Sequence, residues 1–251
     1  MIIQWVLSFM PISGHSLYAD SAYRLYAFLL EQLSSEDACW LHEIGRGVVS
    51  QYLCFSKEDQ RYLWTVNILS PEVGSLLCPI LEKIPEIQIE NQHFPIIERA
   101  FFEIGPEEFV KKGRQLTQSR ASLRFLTPTA FRQSGRYTIF PQEKLIVQSL
   151  IAHWNEVFPE YPLNDEDAFQ VLLSGVHIVD YQLRTSRFSL KGVKIPGFVG
   201  SCILDAKLPL PLLELWNTLL LFADYSGIGI KTGLGMGGVH VQWLNQCGNK
   251  K

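Results

Sequence analysis

The sequence predicts an α+β chain made of two tandem units, each in the order β-α-β-β-α-β. Three observations carry this. Apolar runs of strand length alternate with stretches of helical periodicity. Both halves repeat the same order of elements, although no internal sequence repeat is evident. The 251 residues also suit two compact modules, each of about 100–120 residues. This order is the ferredoxin-like, or RRM-like, arrangement. The expected units are residues 1–110 and 111–251, joined by a linker near Gly105–Gly113.

Ile2–Phe9 reads as the first strand. Ser16–Leu33 shows helical spacing of Leu17, Ala22, Leu25, Tyr26, Leu29, Leu30 and Leu33, and Glu36–Leu41 reads as a short second helical piece. Val48–Phe55 and Arg61–Leu69 form a hairpin across the polar turn 56–60. Ser70 and Pro71 are an N-cap and a first helical residue, starting a helix that ends near Lys83. Ile87–Ile89 and Phe94–Ile104 resume strand character. In the second half, Ser122–Leu126 is a strand stopped by Thr127-Pro128, and Gln142–Phe158 is an amphipathic helix. Gly175–Leu190 and Val193–Leu204 form a long hairpin turning at Lys191-Gly192. Pro211–Phe222 is an apolar helix and Val239–Leu244 the closing strand.

The composition is that of an ordered globular protein, with 47% hydrophobic and 19% charged residues. The five cysteines (39, 54, 78, 202 and 247) are scattered and include no Cys-x-x-Cys pair. Neither a disulfide framework nor a metal site is expected, and no cofactor. The N-terminus lacks the features of a signal peptide. The run Leu210–Phe222 is too short to span a membrane and contains Glu214. A cytoplasmic protein with no membrane partner is expected.

The net charge of −3 hides an asymmetry. Residues 1–110 carry 6 basic and 15 acidic side chains, whereas residues 111–251 carry 16 basic and 10 acidic ones. Lys111–Gln142 holds seven basic residues and no acidic one. Tyr181–Leu204 holds Arg184, Arg187, Lys191 and Lys194, again with no acid. Acid-free basic stretches suit phosphate contacts; the bland alternative is a solvated charged face.

Six of the twelve residues from Gly227 to Gly238 are glycine. Ile228, Ile230, Leu234 and Met236 alternate with them, which argues for an ordered loop rather than a flexible linker. Glycines reach φ > 0 freely, and their N–H groups can line an anion-binding concavity. Lys231 adds a positive charge near the loop's centre.

The pattern Gly227-Ile-Gly229, Lys231, Gly233-Leu-Gly235, continuing through Met236 to Gly237, resembles the C-terminal glycine-rich motif of the RAMP superfamily of CRISPR-associated proteins. It is most similar to the branch that processes CRISPR repeat RNA. Trp40-Leu-His-Glu43, Phe125-Leu-Thr-Pro-Thr129 with Phe131, and Gly197-Phe-Val-Gly200 extend the resemblance over positions 23–241. The glycine motif is the specific one, and it falls between the last helix and last strand, as in that family.

The resemblance implies RNA cleavage without a metal. The 2′-OH attacks the adjacent phosphate, leaving a 2′,3′-cyclic phosphate and a 5′-OH. Such a reaction needs a base, an acid and positive charge near the phosphate. His42 stands where similar nucleases place a catalytic histidine; its bland reading is a helix C-terminal cap. Tyr26, sixteen residues earlier, matches a catalytic tyrosine of archaeal relatives and also fits the apolar stripe of its helix. Val48 and Val49 occupy the positions where relatives often carry a lysine, which leaves Arg46 as the nearest cation. His15 is a second candidate histidine; His93, His153, His177 and His240 read as structural or surface residues.

RNA contacts are expected from Gly227, Gly229, Lys231, Gly233, Gly235 and Gly237 of the loop. Further contacts are expected from Arg120, Arg124, Arg132, Arg136, Arg184, Arg187, Lys191 and Lys194. The implied partner is CRISPR repeat RNA, with other CRISPR effector subunits or a second copy in a homodimer as further candidates. Two rival readings stay open: a RAMP subunit that binds RNA without cutting it, and a ferredoxin-like module binding a nucleotide or a protein. No Walker loop or Rossmann fingerprint supports the latter.

Overall fold

The computed structural model describes residues 1–11, 16–44, 47–89 and 91–244. The first half runs β1 (Ile2–Phe9), α1 (Ala22–Glu31), α2 (Ser35–Ile44), β2 (Val49–Ser56), β3 (Arg61–Ile68), α3 (Pro71–Lys83), β4 (Glu86–Ile89) and β5 (Gln92–Ile104). After α4 (Pro106–Gln115) come β6 (Arg120–Thr129), β7 (Phe131–Gln133), β8 (Arg136–Thr138), α5 (Glu143–Val157) and α6 (Glu166–Gly175). The chain closes with β9 (Val176–Leu190), β10 (Val193–Ala206), α7 (Leu210–Ser226) and β11 (Val239–Leu244). The sheet orders are β2-β3-β1-β5-β4 and β11-β6-β10-β9. Setting aside the added β4, each sheet places its first and third strands at the centre, as the two ferredoxin-like units require.

Alternation along the strands builds the two cores. In β1, Ile3, Trp5, Leu7 and Phe9 pack with Leu25 and Leu29 of α1 and Val73 and Leu77 of α3. Ile2 points the other way and joins the second core with Leu69 and Ile104. In β6, Ala121, Leu123 and Phe125 pack with Leu150 of α5 and Trp216, Leu219 and Phe222 of α7.

Four segments differ from the sequence reading, the β7–β8 hairpin among them. The expected linker is the helix α4, with Pro106 at its start, Glu107 and Glu108 in its first turn and Lys112 and Arg114 in its last. It is held on α7 by Phe109, whose ring lies 6.2 Å from that of Phe222, and by Gly113, where a Cβ would lie 2.8 Å from the Cα of Thr218. Helix α6 is an element that the sequence reading lacks; Asp165 caps it by accepting from the N–H of Ala168 at 2.9 Å. Strand β6 continues through Pro128, because the pairing with β10 shifts register between Phe198 and Gly200. A proline without an N–H is tolerated at such a bulge. Among the described residues, no helix is long and apolar enough to cross a membrane.

Candidate nucleic-acid interface

The alternation that buries Leu123 and Phe125 turns Arg124 to the opposite face of the second sheet. That face forms one wall of a cleft of about 950 Å³ between the two units. Arg124, Gln182, Arg184, Arg187 and Ser201 line this wall. Leu17–Asp20, Leu53–Phe55 and Tyr62 of the first unit line the other. The Tyr62 hydroxyl accepts from the N–H of Leu17 at 2.9 Å, which ties the segment before α1 to β3. The tip of the β9–β10 hairpin crosses to the same segment. The Lys191 ammonium lies 5.7 Å from the Tyr23 ring centre, and the Ser189 N–H donates to Asp20 at 3.3 Å.

Of the eight basic side chains outside the glycine loop expected to contact RNA, Arg124, Arg184 and Arg187 line the cleft, and Lys191 sits at the hairpin tip. Lys194 is exposed on β10. Arg132 and Arg136 are exposed on the separate β7–β8 hairpin, outside the cleft lining. Arg120 stands at the start of β6, with its Nε 4.0 Å from Asp205. The structure thus divides the expected basic surface into a cleft group and outlying side chains.

The glycine-rich loop is wedged between the units. Gly229 has φ +92° and lies against the carbonyl of Ala130, where a Cβ would sit 2.5 Å from the oxygen. Gly235 has φ +108°, and a Cβ there would be 2.4 Å from that of Ala22 on α1. Glycine is required by conformation and by space at once. The expectation that the loop leaves its N–H groups open differs from what is seen at most positions. Protein acceptors take the N–H groups of Gly227, Ile228, Ile230, Leu234, Gly235, Met236 and Gly237. Ser149 of α5 takes that of Gly229, and Thr127 that of Gly238. Lys231 is exposed and itself left-handed, at φ +58°.

A buried polar seam lies under this loop. The Gln51 amide donates to the carbonyls of Ala22 at 3.0 Å and Gly233 at 3.3 Å, and its oxygen accepts from the Trp64 indole at 2.9 Å. Asn67 donates to the Ser50 hydroxyl at 3.0 Å and accepts from Gln4 at 2.8 Å; Ser50 in turn donates to the carbonyl of Tyr225. Such groups persist in a core because each finds a partner. Isolated polar residues in apolar strands were their one sequence signal.

The catalytic candidates occupy the first two helices. Tyr26 packs against the first core, and burial pushes its phenol up to about 12. It remains a neutral donor at physiological pH. His42 is exposed in the last turn of α2, a helix whose described buried side chain is Leu41. Arg46 and His15 lie outside the described residues. Val49 is buried and Val48 packs against the core, so neither position presents a cation.

Helix α5 connects these parts. Ser149 holds the N–H of Gly229 at 2.8 Å, and the His153 ring nitrogen lies 3.3 Å from the carbonyl of Gly227. Burial lowers the pKa of His153. One turn further, Glu156 lies against Gly47, in the turn that follows His42, and burial raises its pKa. Seven residues of helix rise about 10 Å, so one face of α5 spans from the glycine loop to Gly47.

Comparison with known proteins agrees with this arrangement. The family model for the CRISPR-associated endoribonuclease Cas6 matches residues 123–239. A CRISPR-associated endoribonuclease Cas6 of Streptococcus thermophilus is 30% identical over 225 residues, covering 89% of this chain and 92% of the relative. One of Mycobacterium tuberculosis is 32% identical over 229 residues, covering 88% of this chain and 71% of the relative. The structure of a Thermus thermophilus Cas6 superposes with a TM-score of 0.74 at 24% identity, covering 96% of this chain and 98% of that one. Its product complex gives 0.78 at 23% identity, covering 96% and 99%. With a glycine-rich loop, two ferredoxin-like units and a relative matched along nearly its whole length, the chain belongs to the Cas6 family of CRISPR-associated endoribonucleases.

Proposed function

We propose that this protein cleaves CRISPR precursor RNA within the repeat, without a metal ion, leaving 2′,3′-cyclic phosphate and 5′-OH ends. Residues 1–110 supply the reacting groups and residues 111–251 grip the RNA. The observation that carries the reading is the inter-unit cleft with Arg124, Arg184 and Arg187 on one wall, in a chain of this family. A repeat hairpin offers its backbone and unpaired flanks rather than base edges, and three guanidinium groups on one wall suit phosphate oxygens.

In this mechanism His42 moves a proton between the RNA and solvent, a role suited to an exposed imidazole. The neutral Tyr26 phenol donates a hydrogen bond to the phosphate or the leaving oxygen, and Arg46 holds the developing charge. Lys231 extends from the glycine loop to a further phosphate, while the glycines around it shape the loop against α1 and β2.

Incubating a repeat transcript with the protein in EDTA tests the reading. Cleavage at one repeat position with cyclic phosphate ends is expected. A strict Mg²⁺ requirement with 3′-OH products would overturn it. The second reading is a subunit that binds repeat RNA without cutting it. The packed Tyr26 and the valines at 48 and 49 favour it, and binding without cleavage in the same assay would establish it.

A further inference from the structure

The open face of the second sheet carries a row of polar side chains that crosses all four strands. His240 of β11 is the direct partner of Arg124 on β6, Arg124 of Ser201 on β10, and Ser201 of Gln182 on β9. Direct partners in antiparallel strands point to the same side of the sheet. With strands about 4.8 Å apart, the row is about 14 Å long. Arg184 lies two residues along β9 from Gln182 and extends it. Beyond the row, this face holds Ser122, Arg184, Ser186 and Gln242, the apolar Val199 and Ile203 and the acidic Asp180, and its aromatic ring, Phe188, is fully buried with Ile195 and Met236. An RRM-type sheet that reads bases stacks them on aromatic side chains. This face offers hydrogen-bond donors and charge instead.

His240 has a partner that acts on its charge. Asp224 of α7 wraps the edge of β11: its Oδ1 accepts the N–H of Val241 at 2.7 Å and lies 3.4 Å from Nδ1 of His240. The carboxylate is mostly covered, while the His240 side chain is 63% exposed. The imidazole is thus held at one edge and presented to solvent on the other, beside Arg124.

Resting on the proposed RNA-processing role, we propose that His240, Arg124, Ser201 and Gln182 form a track for the RNA backbone across the second sheet. His240, as imidazolium, is its terminal phosphate contact. The Asp224 partner raises the His240 pKa, against a smaller opposing effect of burial and of Arg124. Other titratable groups near Asp224 and Arg124 are Tyr225 of α7, whose phenol burial raises to about 12, and Tyr52 and Cys54 of β2. Burial holds the Tyr52 phenol at about 12 and the Cys54 thiol at about 11, so all three stay neutral between about pH 6 and 8. His240 is then the group of this corner that titrates in that window. Its contact is present at low pH and lost as pH rises through its raised pKa.

The test is the affinity for a repeat RNA carrying a 2′-deoxy sugar at the cleavage position, which binds without reacting. Wild-type protein is expected to bind about fivefold more weakly at about pH 8 than at about pH 6. Its salt slope should be shallower at the higher pH by up to about 0.7–0.9. His240→Gln should remove most of that pH dependence, and His240→Lys should keep tight binding at both pH values. Asp224→Asn, which retains an acceptor for Val241, should move the loss of affinity to lower pH. An unchanged pH profile in His240→Gln would overturn the terminal contact while leaving the proposed function intact. Failure of the wild-type protein to bind repeat RNA at either pH would overturn both.

Discussion

The two ferredoxin-like units share a strand order but differ in which sheet faces are covered. In the first unit both faces of β1 are used: Ile3, Trp5 and Leu7 enter its own core, while Ile2 joins the second core beside the Gln4–Asn67–Ser50 seam. In the second unit, Ala121, Leu123 and Phe125 bury one face and Arg124 stands on a face that opens into the cleft. One topology therefore gives an interface to the other unit in one half and, in the proposed function, a gripping surface in the other. The difference lies in what packs against the sheet's second side, and the charge asymmetry accompanies it: acidic excess in the half whose second face is partly taken up by the other unit, basic excess in the half whose second face carries Arg124, Arg184 and Arg187.

The sharpest way to break this division is at the proposed reacting group. His42→Ala should lower cleavage by about 100-fold with repeat-RNA affinity nearly unchanged, as loss of acid–base catalysis would do. Single-turnover rates and binding on one preparation measure both. Equal losses in binding and cleavage would move His42 from chemistry to grip.

Next in size is the contact between the halves. Gly235→Ala places a methyl group 2.4 Å from Ala22 and demands φ +108° of an alanine. A stability loss of about 2–3 kcal/mol is expected, seen as a lower melting temperature. RNA affinity of the folded fraction should be retained. A stable variant with lost affinity would make Gly235 an RNA contact instead of a spacer.

The covered and open faces can then be compared directly. Asn67 is fully buried, so Asn67→Ala should cost about 1–3 kcal/mol by stranding Gln4 and Ser50, with RNA binding intact. Arg184→Ala is expected to do the reverse. Its effect on melting should be small, and the salt slope of RNA binding should fall by about 0.7–0.9, the share of one phosphate contact. An Arg184 variant with an unchanged slope would place the RNA elsewhere than on the open face.

Much of the fold is legible in the chain because it depends on local pattern. The alternation of β1 and β6, the Ser70-Pro71 helix start and the hairpin across 56–60 each leave a short-range signature. The segment 105–113 is misread because its helix has one buried anchor, Phe109, and a glycine, Gly113, that reads as a breaker. That glycine is there for close approach to Thr218, a contact about a hundred residues away in sequence. Pro128 reads as a strand stop because the bulge that accommodates it belongs to the pairing with β10. The glycine loop is recognisable as a motif, but its N–H groups are spent on Pro128, Ala130, Thr127 and Ser149, partners that sequence reasoning cannot assign.

The sequence by itself determined the order of elements, the basic second half and the glycine pattern. These depend on residue type and spacing along the chain. Only the tertiary structure decided which arginines share a cleft and which stand apart, that the glycine loop is a wedge between units, and that His240 stands beside Arg124 with Asp224 behind it. The reason is physical. Strand alternation assigns a side chain to one of two faces, but the packing of the rest of the molecule decides which face is left to solvent.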